Sequence, residues 1–174
     1  NKVRIALVLS GGKVTTKTNT SMGNYTDVGI SNYSGTVDKS LILGALQEDD
    51  GSKSQFFNGT VYQFAVFQRV LDTSDIESWI NGEATIPDAS DTPVVTAPVY
   101  SMTETKSFVS SNKDVVDTGI KLFERIDPKP ELTILLDAKS ADDIVYSASV
   151  SPCLLQCLTE DDSGVYGLAL AIWN

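Results

Sequence analysis

The sequence predicts an all-β protein, a two-sheet antiparallel β-sandwich with one short α-helix near residues 73–81. Apolar and polar residues alternate with the two-residue period of a strand in many segments, of which residues 3–9 are an example. Clusters of glycine, asparagine and serine separate these segments, as is typical of turns. A helical spacing of apolar residues occurs at Ile76, Trp79 and Ile80. These observations favour strands along the chain and a single helix.

The first part of the chain predicts a hairpin, a long polar segment and a short buried strand. Residues 3–9 and 14–18 are two strands joined by a glycine turn. Residues 19–38 are polar and predict mostly loop. Residues 41–44 are apolar and short, as expected for a buried strand, and residues 47–55 predict a solvated loop.

A central strand is predicted at residues 60–67, because both of its faces are largely apolar. In a regular strand one face carries Val61, Gln63, Ala65 and Phe67. The other face carries Tyr62, Phe64 and Val66. We therefore expect this strand to be covered on both sides.

The predicted helix has sequence signals at both ends. Ser74 and Glu77 have the spacing of a capping box at its start. Gly82 supplies a stop at its C-terminal end. The apolar stripe between these signals predicts that one side of the helix packs against the sheets.

The chain after the helix starts with a proline-containing segment and then returns to strands. Residues 84–97 include Pro87 and Pro93 and predict a linker. The strand candidates that follow are residues 108–109, 115–120, 132–137, 144–150 and 167–173. A polar turn is predicted between the last two of them.

The charge of the chain excludes some classes of partner. The 174 residues carry a formal net charge of −10, and the pI is about 4.3. An acidic surface repels phosphate backbones and anionic lipid, so we expect neither nucleic-acid binding nor membrane insertion. No apolar run is long enough to span a bilayer. The chain starts at Asn1 without a signal peptide, which we interpret as a mature form or a fragment.

Residue types needed for common catalytic sites are missing or badly spaced. The chain has no histidine, which removes Ser-His and Cys-His nucleophile pairs. On one strand the side chains of Cys153 and Cys157 would lie about 13 Å apart, too far for a disulfide, so free thiols are expected. Acidic residues are direct neighbours, as at Asp142 and Asp143, rather than spaced for a glycosidase pair. We expect no enzyme activity and no cofactor.

The segment of residues 57–76, FNGTVYQFAVFQRVLDTSDI, resembles the end of laminin-G-like domains, which are concanavalin-like jelly rolls. In that family Phe-x-Gly precedes a strand, an Arg/Ala-Leu step and a short helix. Residues 41–44 match the strand that precedes this ending, and residues 3–13 resemble the mid-domain strand and hairpin. The resemblance implies that residues 1–83 are the second half of such a sandwich.

Residues 97–174 resemble a first half of the same kind of domain. The segments 115–123, VVDTGIKLF, and 132–137, LTILLD, are similar to modules in tail and fibre proteins of bacteriophages. The halves therefore stand in reverse order, joined by the linker at residues 84–97. Either they close into one permuted sandwich, or the second part belongs to the next module of a longer chain.

The resemblance implies a non-enzymatic virion module of a bacteriophage tail or fibre protein, outside the host cell. Its partners would be host cell-surface polysaccharide and other virion proteins, and we expect a homo-oligomer by analogy with fibre proteins. Weak sites would gain avidity from repetition. Two alternatives stay open: a structural spacer or assembly module without a ligand, and a glycan-degrading hydrolase.

Tyr25 and Tyr33 are the candidate carbohydrate-binding residues. They lie in a stretch rich in Asn, Ser and Gly that resembles an adaptable binding loop, and their rings could stack on a sugar. The alternative is that these rings anchor a long loop to the sandwich. Trp173 alternates with apolar neighbours and Trp79 lies on the apolar stripe of the helix, so both are predicted to lie in the core.

Two acidic loops are candidate calcium sites. Residues 48–51 and 160–164 offer several carboxylate oxygens, which calcium prefers. Neither has the spacing of an EF-hand loop, and a solvated polar turn is the favoured interpretation of both. We therefore assign no metal to the chain.

Overall fold

The computed structural model describes residues 2–11, 13–19, 25–27, 40–48, 50–86, 97–121, 131–141, 153–161 and 164–170. Most of these residues form antiparallel β-strands, together with one α-helix and one turn of 3₁₀-helix. The predicted all-β class with one short helix is therefore confirmed. In these ranges no helix is long and apolar enough to cross a membrane.

Seven strands and the α-helix come first in the described chain. They are β1 (Lys2–Ser10), β2 (Lys13–Thr18), β3 (Tyr25–Asp27), β4 (Ile42–Leu43), β5 (Leu46–Gln47), β6 (Lys53–Ser54), β7 (Gly59–Phe67) and α1 (Thr73–Asn81). The elements that follow are β8 (Tyr100–Met102), β9 (Lys106–Phe108), the 3₁₀-helix (Ser110–Asn112), β10 (Val116–Asp117), β11 (Leu132–Ser140), β12 (Leu155–Asp161) and β13 (Gly164–Leu170).

The strand predictions differ in how closely they match these elements. Strands β1, β2, β4, β7 and β11 coincide with predicted strands, with ends shifted by at most three residues. The predicted loop at residues 47–55 instead contains the small hairpin of β5 and β6. The predicted strand at residues 144–150 lies outside the described residues.

The strands form a seven-stranded, a four-stranded and a two-stranded sheet. The largest has the order β3-β2-β1-β11-β7-β8, and β9 pairs with another part of β7. The four-stranded sheet has the order β10-β4-β12-β13. In the first, β11 lies between β1 and β7, and in the second, β4 lies between β10 and β12. Both sheets therefore combine strands from before and after the helix.

One face of the seven-stranded sheet, which we call the inner face, carries the main core. Its buried residues on β1, β7 and β11 are Ile5, Leu7, Leu9, Val61, Phe64, Val66, Leu132, Ile134, Leu136 and Ala138. The same cluster contains Leu43 of β4 and Leu155 of β12, which pair in the four-stranded sheet. The two larger sheets thus bury apolar side chains in a shared core, which stabilises them mainly by the hydrophobic effect.

The opposite face, which we call the outer face, is covered in part by α1. Ile76, Trp79 and Ile80 are buried and belong to a second cluster. The sheet residues of that cluster are Ala6, Ala65, Phe67 and Leu135. The small side chains at Ala6 and Ala65 let the helix approach the sheet closely. The predicted apolar stripe therefore does pack as expected.

The two ends of the helix confirm the predicted C-terminal stop and contradict the predicted capping box. Gly82 adopts a left-handed conformation with φ of 84°, and its N–H donates to the carbonyls of Ser78 and Trp79. The predicted capping box is wrong, because the helix starts earlier. Asp72 holds the N-cap position without a side-chain cap hydrogen bond, and Ser74 lies inside the first turn. The helix thus starts two residues earlier than a cap at Ser74 implies. The carbonyl of Asp72 accepts the first backbone bonds, from the N–H groups of Asp75 and Ile76.

The predicted faces of β7 are wrong at one end, because the strand contains a β-bulge. Asp137 pairs with Gln63, but the next residue, Ala138, pairs with Val61, so Tyr62 has no partner in the register. The extra residue reverses the alternation. Val61 therefore packs with Phe64 in the main core rather than on the side of the helix.

Candidate functional site

A charged pair lies on the outer face where β1, β11 and β7 run side by side. Arg4 and Asp137 are opposite each other in the register, and Gln63 is opposite Asp137 on the next strand. Asp137 is 0% exposed. Its Oδ2 atom lies 2.9 Å from Nζ of Lys2 and 3.2 Å from Nε of Arg4. A carboxylate this deeply buried needs such partners to stay ionised.

Arg4 also connects the sheet to the helix. Its Nη1 group donates to the carbonyl oxygen of Trp79, one of the last carbonyls of α1. The guanidinium carbon lies 5.4 Å from the centre of the Trp79 ring, within the range of a cation–π contact. These two contacts fix the position of the indole over the outer face.

A cavity of about 430 Å³ lies beside this helix, on the outer face. Its apolar walls are Phe67, Leu71, Trp79, Ala84, Ile86 and Leu135. Its polar lining consists of Arg69, Asp75, Ser78 and Thr85. Its volume falls in the range of small-molecule binding sites. A mostly apolar lining with a few polar groups is also typical of such sites.

Thr133 on β11 fixes the segment that connects β7 to the helix and lines the cavity. Its hydroxyl oxygen accepts a hydrogen bond from the N–H of Leu71 at 3.0 Å and donates to the carbonyl of Arg69 at 3.0 Å. Thr133 is 0% exposed, so these bonds are shielded from water. A buried polar side chain therefore sets the course of the Arg69–Leu71 segment along the cavity.

The cavity and the charged pair differ in the groups they leave unsatisfied. Within the described ranges, Nε of Arg69 and Nε1 of Trp79 are buried N–H donors without a hydrogen-bond partner. Oδ1 of Asp137 and Oε1 of Gln63 are buried oxygens without one. The cavity is thus lined by residues that can donate to a ligand. The charged pair instead leaves two oxygens without a donor in the described ranges, one on Asp137 and one on Gln63.

Neither predicted sugar-binding side chain lies within the described part of the structure. Tyr25 starts β3 at one edge of the seven-stranded sheet, where its backbone pairs with Thr16. The side chain of Tyr25 lies outside the described part, as do Tyr33 and Trp173 entirely. Their roles remain predictions. Trp79, predicted to be core, is 2% exposed and lies in the second cluster.

The first acidic loop uses its carboxylates within the turn. Oδ1 of Asp50 accepts from the N–H of Ser52 at 2.8 Å, and Glu48 accepts from the hydroxyl of Ser54. Asp49 lies outside the described residues, as do the side chains of residues 160–164. Across the described ranges there is no group of three or more His, Cys, Asp or Glu that could hold a metal ion.

The two cysteines lie near the start of β12. Cys153 is buried just before the strand, and its Sγ donates to the carbonyl of Leu155 at 3.4 Å. The backbone of Cys153 pairs with that of Phe56 in an isolated parallel β-bridge. Cys157 lies within β12, and its side chain is outside the described part.

Sequence reasoning missed Arg69 as a candidate residue and assigned Trp79 only a packing role. The available signal was a single arginine two residues after an apolar strand, a pattern that is common in sequences. A scan against family models and searches of curated proteins and of solved structures found no significant match to this chain. The cavity and the charged pair therefore have to be interpreted from their own chemistry.

Proposed function

We propose that this chain is a non-catalytic module of a bacteriophage tail or fibre protein, built as a concanavalin-like jelly roll, that binds glycan on the host surface. The observation that carries this proposal is the segment of residues 57–76. It forms strand β7, a bend at residues 68–69 and helix α1, in the order that laminin-G-like endings require. Sandwiches of this kind present loops and sheet edges to large ligands without needing a catalytic pair.

The order of strands supports one permuted module rather than two separate halves. Strand β11 pairs with β1 along eight residue pairs, Lys2–Leu9 with Leu132–Lys139, and with β7 on its other side. Each part alone would leave an apolar sheet face and open strand edges. In this proposal residues 1–83 and 97–174 are halves of a single two-layer sandwich, with residues 84–97 as the connection.

Cleavage of the connection tests the single module. A protease site inserted between Ser90 and Asp91 allows the purified chain to be cut once. If the halves complete each other, the two fragments stay together in size-exclusion chromatography and separate only in denaturant. Separation of the fragments under native conditions would support the tandem arrangement instead.

Glycan binding would be weak at each site and strengthened by repetition in a homo-oligomeric fibre bound to other virion proteins. The binding residues in this proposal are Tyr25 and Tyr33, which contact sugar through their rings. Tyr25 belongs to the edge strand β3, and an edge is accessible to a long polysaccharide.

The test is binding of the oligomeric protein to isolated host polysaccharide and to a glycan array. We expect Tyr25→Ala and Tyr33→Ala to weaken binding, whereas Tyr25→Phe and Tyr33→Phe keep the ring and retain it. No binding by the native assembly would favour a spacer without a ligand. Release of reducing sugar ends from host cell-wall material would favour a hydrolase.

A further inference from the structure

The cavity beside α1 is lined by two residues with buried N–H donors that lack a partner in the described ranges. Trp79 is 2% exposed, and its Nε1 makes no hydrogen bond there. Nε of Arg69 is buried and unpaired as well. Buried indole N–H groups usually have a partner, and a buried donor without one is unfavourable. An oxygen acceptor from outside the chain would satisfy both.

The charge at the cavity specifies the acceptor further. Arg69 forms no ion pair with any described residue, although the chain carries a net charge of −10. Its guanidinium carbon lies 5.9 Å from the centre of the Phe67 ring, which helps to hold the group in place. An arginine and a tryptophan that line the same cavity suit a carboxylate, because both side chains donate to negative oxygens.

The remaining walls specify the body of the ligand. Leu71, Ile86 and Leu135 are at most 7% exposed and present only carbon atoms from their side chains to the cavity. Asp75 is exposed and also lines the cavity. Its negative charge disfavours a second carboxylate on the same ligand.

We propose that this cavity binds a small monocarboxylic acid with an apolar body. The carboxylate accepts hydrogen bonds from Arg69 and Trp79, and the body packs against Phe67, Leu71 and Leu135. This site is independent of the glycan-binding residues Tyr25 and Tyr33. Its ligand class follows from the cavity alone, so failure of glycan binding leaves it untouched.

The test adds hexanoate or phenylacetate to the intact chain. Binding is measured by isothermal titration calorimetry and by the NMR signal of the Trp79 indole N–H. Loss of that signal in Trp79→Phe assigns it, because the chain has two tryptophans. We expect both probes to bind and to shift the signal. Acetate, which lacks the body, and hexanol, which lacks the charge, should bind at least about tenfold more weakly. Adipate, with a second carboxylate, should also bind more weakly.

Substitution of Arg69 separates the charged contact from simple filling of an apolar cavity. We expect Arg69→Gln to weaken hexanoate binding by about tenfold or more, since a hydrogen bond to a charged group is lost. Lys53→Gln removes the same charge from an exposed strand away from the cavity and should leave binding unchanged. If Arg69→Gln does not fold, Arg69→Lys keeps the charge, loses the Nε donor and should still bind more weakly.

Three results would overturn the proposal. One is no shift of the Trp79 indole signal at millimolar hexanoate and phenylacetate, which would show that neither carboxylate binds at this donor. Another is equal binding of hexanol and hexanoate, which would show a purely apolar cavity. The third is equal loss of affinity in Arg69→Gln and Lys53→Gln, which would indicate a long-range effect of charge.

Discussion

The two faces of the seven-stranded sheet are made by the same strands but differ in chemistry. On the inner face, β1, β7 and β11 contribute apolar side chains such as Leu7, Phe64 and Ile134. On the outer face the alternate residues include Arg4 and Asp137, and a cavity lies beside the helix. The alternation of side chains along each strand lets one face supply stability while the other carries polar groups. We therefore expect mutations on the two faces to have different effects.

The largest effect is expected from Phe64→Ala on the inner face. Phe64 is 0% exposed and lies 5.8 Å from Tyr100 between ring centres, so truncation leaves a cavity in a packed core. We expect a loss of about 3–5 kcal/mol in the free energy of unfolding, measured by urea denaturation. Phe67→Ala on the outer face is the matched control. It should cost at least about 1 kcal/mol less, because Phe67 already borders a cavity. Equal costs would contradict the proposed difference between the faces.

Arg4→Gln should have the next largest effect, on the outer face. It removes one of the two cations beside the buried Asp137 and also the contacts to Trp79. We expect a loss of about 2 kcal/mol in urea denaturation, since hydrogen bonds between charged groups are lost. Lys2→Gln should cost less, because the Lys2 side chain is 47% exposed and water can replace it. A larger cost for Lys2→Gln would show that Arg4 is not the main partner.

Gly82→Ala should cost about 1 kcal/mol, because its φ of 84° is unfavourable for a residue with a Cβ atom. The nearest atom to such a Cβ is Nη1 of Arg4 at 3.4 Å, so steric overlap is small. Gly51→Ala, with φ of 83° in an open turn, should cost about as much. Thermal unfolding measures both. If the cavity depends on where α1 ends, only Gly82→Ala also changes hexanoate affinity.

The smallest effect is expected at the exposed end of the outer face. Nζ of Lys17 lies 3.2 Å from Oε1 of Glu77, and the Glu77 side chain is 60% exposed. A double-mutant cycle with Lys17→Ala and Glu77→Ala should give a coupling of about 0–1 kcal/mol that disappears in high salt. A coupling energy that persists in high salt would contradict this prediction, because it would show that the ion pair is shielded from salt ions.

The sequence predicted elements whose signals are local. Helix α1 has a periodic stripe and a terminal glycine, and β7 and β11 are long apolar runs, so all three were found. The bulge at Tyr62 was missed, because it depends on pairing with Asp137 and Ala138, far along the chain. A one-residue change in register is invisible in the alternation of a strand that is apolar on both faces.

The candidate cavity could not be predicted for a similar reason. Arg69 lies in the connection between β7 and α1, Trp79 lies in α1, and both line the cavity together with Leu135 of β11. Each residue alone is explained by its own element, since a tryptophan on an apolar stripe predicts core. The predicted sugar contacts at Tyr25 and Tyr33 remain predictions, to be tested by the glycan-binding experiment.

The position of β11 between β1 and β7 has a consequence for synthesis on the ribosome. Arg4 and Asp137 face each other in the sheet but are 133 positions apart in the sequence. The strands that flank β11 therefore leave the ribosome long before their shared neighbour does, and their edges stay unpaired until then. Contacts of such long sequence separation slow folding. We expect the nascent chain to depend on chaperones that hold it soluble until residues 132–140 have been made.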